Sequence, residues 1–246
     1  ILVCLVGSEM CIRDRRMNKE KGIRVREPKI YQGEFFYDIK LNPKREYYEP
    51  YLIKSKELLD YVTTEHNRVI AFSVVLRFPQ DLEQDRDISY ITKFRRIFQR
   101  KIDFTLEEKK KEKTRVHHVK KGNKAFNIWC RERDSGNNDH YHMFILMSNE
   151  NFRSLGHYST SPEPQKSLAV LVQEAWSDAL GYSYCGMRGL VHFPNNNKFR
   201  VVQNRYDTKS NYDALLFRMC YLAKRETKNF GEGVRSFGCS RIKREP

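Results

Sequence analysis

Two strand-like runs, Phe126 to Arg133 and His140 to Ser148, flank the polar stretch Asp134-Ser135-Gly136-Asn137-Asn138-Asp139. Asp, Ser, Gly and Asn reverse a chain readily, so this region predicts a β-hairpin. A hairpin commits the chain to a fold with an antiparallel sheet. A further strand is predicted from Val69 to Phe78, an apolar run closed by Pro79.

Other segments carry helical spacing. From Pro43 to about Val62, the residues Tyr48, Tyr51, Leu52, Leu58, Leu59 and Val62 recur on one face. Residues 83–101 place Ile88, Ile91, Phe94 and Phe98 inward and Lys93, Arg95, Arg96 and Arg100 elsewhere. Lys166 to Leu180 predicts an amphipathic helix with Leu168, Val172, Ala175, Trp176 and Ala179 inward. Ser210 with Asp213 resembles a capping box opening a helix that runs to about Lys228. Gly189 to Phe193 and Phe199 to Val202 predict a hairpin across Pro194-Asn195-Asn196-Asn197, and the charge-rich stretch 107–124 predicts a solvated loop or hairpin. Tight hairpins broken by long helices give an α+β fold class with an antiparallel sheet.

Residues 1–16 contain VCLVGSEMCIRDR, which resembles a translated sequencing adapter. They are set aside as non-native, with Met17 as the expected start. Residues 17–65 are then an N-terminal appendage with one helix, and 66–246 the main domain. The apolar start is too short, and lacks the basic lead, for a signal peptide.

The chain carries 46 Lys+Arg against 31 Asp+Glu, a net charge of +15 in 246 residues. That balance points to a polyanionic partner, nucleic acid before acidic membrane. No apolar run is long enough to span a bilayer. The six cysteines are scattered with no Cys-x-x-Cys, which argues against a structural zinc site and fits a reducing cytoplasm. The phosphate-cradling Gly-x-x-x-x-Gly-Lys-Ser/Thr and the Gly-x-Ser-x-Gly elbow are both missing, so no ATPase or serine hydrolase is expected.

His140 and His142 stand two apart in a strand, and side chains at that spacing share a face. Pairing across the hairpin brings Glu132 to the same face if residues of equal parity are partners. Two imidazoles and a carboxylate suit Mg²⁺ or Mn²⁺ acting on phosphate, and would also take zinc. Asp134 and Asp139 are alternative third ligands. His117 and His118 read as loop residues.

Wound as a helix, Ser210–Lys228 buries Leu215, Leu216, Met219, Leu222 and Ala223. Tyr221 lies opposite, flanked by Arg218, Lys224, Arg225 and Lys228. A phenol among cations suits a nucleophile aimed at phosphate, with the cations holding the DNA backbone and favouring phenolate.

Trp129-Cys130-Arg131-Glu132 and Asp139-His140-Tyr141-His142-Met143-Phe144-Ile145-Leu146 resemble the metal motif of HUH endonucleases that initiate rolling-circle replication. Phe217-Arg218-Met219-Cys220-Tyr221-Leu222-Ala223-Lys224, followed by Phe237-Gly238-Cys239-Ser240-Arg241, is similar to the inovirus-type initiators and their YagK/YfjJ-like prophage relatives. The resemblance covers about residues 66–243, with Phe72-Ser73-Val74-Val75-Leu76-Arg77 as its first, structural motif.

It implies a ferredoxin- or RRM-like sheet carrying a divalent ion, Mg²⁺ or Mn²⁺, on Glu132, His140 and His142. Tyr221 would be the nucleophile and Lys224 an assisting cation. A single tyrosine stands in the last motif, with Tyr212 on the opposite helix face. The expected activity is metal-dependent nicking and joining of single-stranded or origin DNA through a 5′-phosphotyrosine, in the cytoplasm of a bacterial host of a phage or other mobile element. Helicase and polymerase would come from the host. Two other classes are a non-catalytic, sequence-specific DNA-binding regulator and a metal-dependent hydrolase without a covalent step.

Overall fold

The computed structural model describes residues 27–79, 89–112, 116–119, 122–133, 139–156, 167–182, 189–228 and 235–242. The elements are β1 (Phe35–Phe36), β2 (Ile39–Lys40), α1 (Glu49–Glu65), β3 (Arg68–Arg77), α2 (Ser89–Lys111), β4 (Phe126–Arg133), β5 (Asp139–Ser148), α3 (Leu168–Leu180), β6 (Val191–His192), β7 (Lys198–Val202), α4 (Thr208–Cys220), a 3₁₀ turn (Tyr221–Ala223) and β8 (Phe237–Cys239). The N-terminal sixteen residues, Met17, Ile88 and Asp134 lie outside the described residues.

The main sheet has six strands. Its order is β6–β3–β5–β4–β8, with β7 also on β3, and its pairings are antiparallel. Elements β3 to β7 follow the β-α-β-β-α-β order of ferredoxin-like sheets. The expected α+β class with an antiparallel sheet is what forms.

Both sheet faces are covered. On one, α2 and α3 pack on Ile70, Phe72, Val74, Leu76, Trp129, Tyr141, Met143 and Ile145. On the other, α1 and α4 pack on Val69, Ala71, Phe126, Ile128, Cys130, Phe144 and Leu146. Double coverage explains why β3 is apolar along almost its whole length rather than alternating. Each fully buried Leu, Ile or Phe contributes about 1.5–3 kcal/mol. No helix among the described residues is long and apolar enough to cross a membrane.

Four sequence expectations are corrected. First, α1 begins at Glu49, not near Pro43. Pro50 sits in its first turn, where its missing N–H costs nothing, and the residues before it pair elsewhere. Second, α2 continues past residue 101 to Lys111. Lys110 and Lys111 pair one turn back with Glu107 and Glu108, and their charges suit a helix C-terminus. The opening of the charge-rich stretch is therefore helix, not loop.

Third, β6 and β7 do not form a hairpin. Both pair with β3, β6 opposite Val75 and Leu76 and β7 opposite Arg68–Phe72. They make one interrupted edge strand. The Pro194–Asn197 residues bulge out of it, with Asn196 at φ 54° and Asn197 O accepting from Ser73 N at 2.8 Å. Fourth, α4 ends at Cys220 rather than near Lys228, for a reason that shapes the site.

Edge strand β8 depends on a close approach. A Cβ on Gly238 would overlap the indole of Trp129 on the neighbouring strand, so only glycine fits there.

Candidate metal centre and tyrosine site

Register places the candidate ligands. Glu132 of β4 faces His140 of β5, and Cys130 faces His142. Residues of equal parity are partners, so Glu132, His140 and His142 project to the same face as α1 and α4. Nε2 of His140 and Nε2 of His142 are 3.1 Å apart, and Nε2 of His142 is 3.5 Å from Oε2 of Glu132. One donor atom from each lies within 4.8 Å of the others, a group able to hold a metal ion. Donors on ~2.1 Å bonds at right angles stand about 3 Å apart, and tetrahedral donors slightly more. The nitrogen and oxygen donors therefore fit a small divalent cation.

The charge state suits that role. Burial pushes His142 down to about 4 against the pull of Glu132, so its lone pair is available at neutral pH. Glu132 is buried, which would raise it, yet Lys228, His142 and Lys224 together hold it down at about 2. Its Oε2 is 3.0 Å from Nζ of Lys224 and its Oε1 is 3.4 Å from Nζ of Lys228. The Cys130 thiol donates to Oε1 at 3.4 Å, and burial pushes that thiol up to about 12.

The tyrosine stands on a turn that the N-terminal segment makes. Past Cys220 the backbone tightens to 3₁₀ and leaves the helix at Lys224, at φ −56° and ψ 141°. Two strand-like bonds replace helical ones. Tyr48 N donates to Ala223 O, and Arg225 N donates to Glu46 O, each at 2.8 Å. Tyr47 and Lys224 form an isolated antiparallel bridge. As expected, Leu215, Leu216, Met219, Leu222 and Ala223 are buried and Tyr221 is exposed, at 43%.

One cavity of about 300 Å³ joins the two halves of the site. Glu132 and His142 line it from the sheet, and Tyr221, Lys224 and Arg218 from the tyrosine turn, with Ser73, Phe144, Pro194 and Leu222 among the other wall residues. Lys224 Nζ lies 4.9 Å from the centroid of the Tyr221 ring. His140 adjoins the cavity through His142.

Early termination of the helix rearranges the cations expected beside Tyr221. Arg218 is exposed and lines the cavity. Arg225 is exposed but engaged by Glu46 at 2.7 Å and Glu27 at 3.0 Å. Lys228 points inward with its side chain wholly buried, pairing with Glu132 and donating to Lys224 O at 2.6 Å. It is a partner of Glu132 in the candidate donor set rather than part of an outer basic face. Asp139 turns to the opposite sheet face, bound by Arg131 and Arg133, and so is no third ligand. The Tyr212 hydroxyl donates to Asp60, away from the cavity, which leaves one tyrosine there among the described residues. His117 is fixed by loop contacts with Asn151.

Sequence reading missed Arg45. Its guanidinium carbon lies 4.9 Å from the Tyr221 ring centroid, and it pairs with Glu226. No local pattern marks it, because the contact depends on how residues 45–48 cross the end of α4.

Comparison with known proteins places the chain in a family. The chain is 33% identical over 200 residues to the uncharacterized protein YagK of Escherichia coli (strain K12), covering 78% of this chain and 92% of YagK. It is 32% identical over 113 residues to the uncharacterized protein YfjJ of the same organism, covering 46% of this chain and 53% of YfjJ. No solved structure matches the chain. The profile of the YagK/YfjJ C-terminal domain matches residues 34–240, a span that holds every residue of the cavity. The chain belongs to the YagK/YfjJ C-terminal domain family.

Proposed function

We infer that the protein is a metal-dependent, site-specific endonuclease and strand transferase for single-stranded or origin DNA, initiating rolling-circle replication of a phage or other mobile element. The observation that carries this reading is the shared cavity: an exposed phenol, two cations, Glu132 and His142 line one space of about 300 Å³, and His140 completes the donor set beside His142. The net charge of +15 supports a nucleic-acid partner.

A divalent ion, Mg²⁺ or Mn²⁺, on Glu132, His140 and His142 would supply Lewis-acid polarisation of a phosphate oxygen. The protein's own residues supply the rest. Arg218 and Lys224 neutralise phosphate charge and place the scissile linkage in the cavity. Tyr221 Oη attacks phosphorus and gives up its proton. The P–O3′ bond breaks, the 3′ oxygen takes up a proton, and a 5′-phosphotyrosine remains. Attack by a 3′-OH on that linkage reverses the step and rejoins the strand. Unwinding and synthesis fall to host helicase and polymerase.

One observation favours a second reading. Two ammonium groups, Lys224 and Lys228, already face the single Glu132 carboxylate, so its charge is neutralised without an ion. That arrangement would serve a DNA-binding regulator that keeps the fold without the chemistry. Incubation with a randomised single-stranded oligonucleotide pool and Mn²⁺ separates the two. The endonuclease reading predicts a denaturation-resistant protein–DNA adduct and free 3′-hydroxyl ends. Binding without cleavage, with or without Mn²⁺, would favour the regulator; cleavage without an adduct would favour a simple hydrolase.

A further inference from the structure

We propose that the N-terminal segment is a working part of this site, and that Arg45 is the positioning residue for the Tyr221 ring. The inference rests on the reading of Tyr221 as nucleophile.

Three independent contacts carry it. The first is backbone. Tyr48 N to Ala223 O and Arg225 N to Glu46 O, with the Tyr47–Lys224 bridge, make residues 46–48 a strand-like partner for residues 223–225. That pairing takes the place of further helix and sets where the tyrosine turn stops. The second is the ring contact. The Arg45 guanidinium lies over the Tyr221 ring, matching Lys224 Nζ at the same 4.9 Å centroid distance. A ring face attracts a cation, so two cations hold a side chain that is otherwise 43% exposed and free to change rotamer. The third is the Arg45–Glu226 ion pair. Tyr221 and Glu226 sit on either side of the segment pairing, so one guanidinium staples both ends of the excursion that carries the nucleophile.

An exposed nucleophile must be aimed before it can react, and misplacement by about 1 Å can cost roughly 100-fold in rate. Arg45 acts through Tyr221, not on the phosphate. Its removal should therefore slow chemistry and leave both DNA affinity and metal affinity in place.

The experiment uses the full chain. Single-turnover adduct formation with a captured oligonucleotide is measured at saturating DNA, beside the Kd for the same DNA in chelator and the Mn²⁺ affinity without DNA. Arg45→Met should slow adduct formation about 10- to 100-fold and change either affinity less than about threefold. Arg45→Lys should recover most of the rate, because an ammonium also sits over a ring face. Glu226→Gln should show a smaller slowing of the same kind. Unchanged Mn²⁺ affinity reports an intact fold in each variant.

A wild-type rate in Arg45→Met overturns the proposal alone. So does a rate loss matched by an equal loss of DNA affinity, which would make Arg45 a DNA contact. No adduct from the wild-type protein, or undiminished adduct from Tyr221→Phe, would overturn the reading of the site and this proposal with it.

Discussion

Nζ of Lys224 lies 3.0 Å from Oε2 of Glu132, and the same ammonium lies 4.9 Å from the Tyr221 ring centroid. One cation thus joins a candidate metal ligand to the candidate nucleophile. Because Lys224 follows the 3₁₀ turn, this link exists only where the helix stops on schedule. Its consequences, and those of its neighbours, are measurable.

Lys228 should show two effects of opposite sign. Its ammonium is buried beside Glu132, so Lys228→Met leaves that carboxylate with one lysine partner. Because Lys224 still neutralises that carboxylate, the loss should be that of one charge-assisted contact, about 1.5–3 kcal/mol, which urea titration in chelator will register. The same change removes a positive charge from beside the donor set. Mn²⁺ binding should tighten by about tenfold or more, measured by calorimetry.

His142→Ala should weaken Mn²⁺ binding by at least about 100-fold, since losing even an outer partner of a ligand costs 10- to 100-fold. His140→Ala should do the same. Their side chains lie at the partly exposed end of the sheet, so thermal melting in chelator should move little. Unaltered Mn²⁺ affinity in either variant would contradict the ligand assignment.

The metal-free protein should lose stability in acid through this centre. Glu132 is held at about 2 against an ordinary 4.5. A depressed carboxylate contributes stability that is present above 4.5 and lost as pH falls toward 2, here roughly 3 kcal/mol. His142, held by burial at about 4 against 6.5, adds a loss in the same direction as pH falls from 6.5 to 4. Urea midpoints in chelator should therefore converge for wild type and Glu132→Gln as pH drops below 4.5. Parallel curves would contradict this charge assignment.

Gly238→Ala should destabilise the protein by about 1–3 kcal/mol, because the new methyl must displace the Trp129 indole or shift β8. Urea unfolding with Trp fluorescence will report both the stability change and the altered indole environment. A neutral substitution would mean that β8 moves freely at the sheet edge.

The centre of the site was legible because its parts are local. His140 and His142 share a strand, and Glu132 reaches them across a single hairpin, so period-2 alternation and one register suffice. Asp139 stood among the alternatives because it read as a turn residue; the strand in fact begins at Asp139, so alternation turns its side chain away from His140 to the other face. The tyrosine turn was less legible. Helical spacing runs smoothly through Tyr221 to Lys228, and nothing local announces that residues 46–48 will take over the hydrogen bonds of residues 223 and 225. Arg45 and the inward turn of Lys228 follow from that long-range pairing. The Pro194–Asn197 residues misled for a related reason. They are good turn formers, but β3 holds the strand on both sides of them, so they bulge without reversing the chain.

The most direct measurement is to map the covalent linkage. The protein would be incubated with Mn²⁺ and a randomised single-stranded oligonucleotide pool, and the adduct digested and sequenced by mass spectrometry. One nucleotide-bearing peptide is expected, modified through a 5′-phosphate on Tyr221, and it should be lost in Tyr221→Phe with DNA binding retained. Modification of another residue, or equal nicking by Tyr221→Phe, would contradict it.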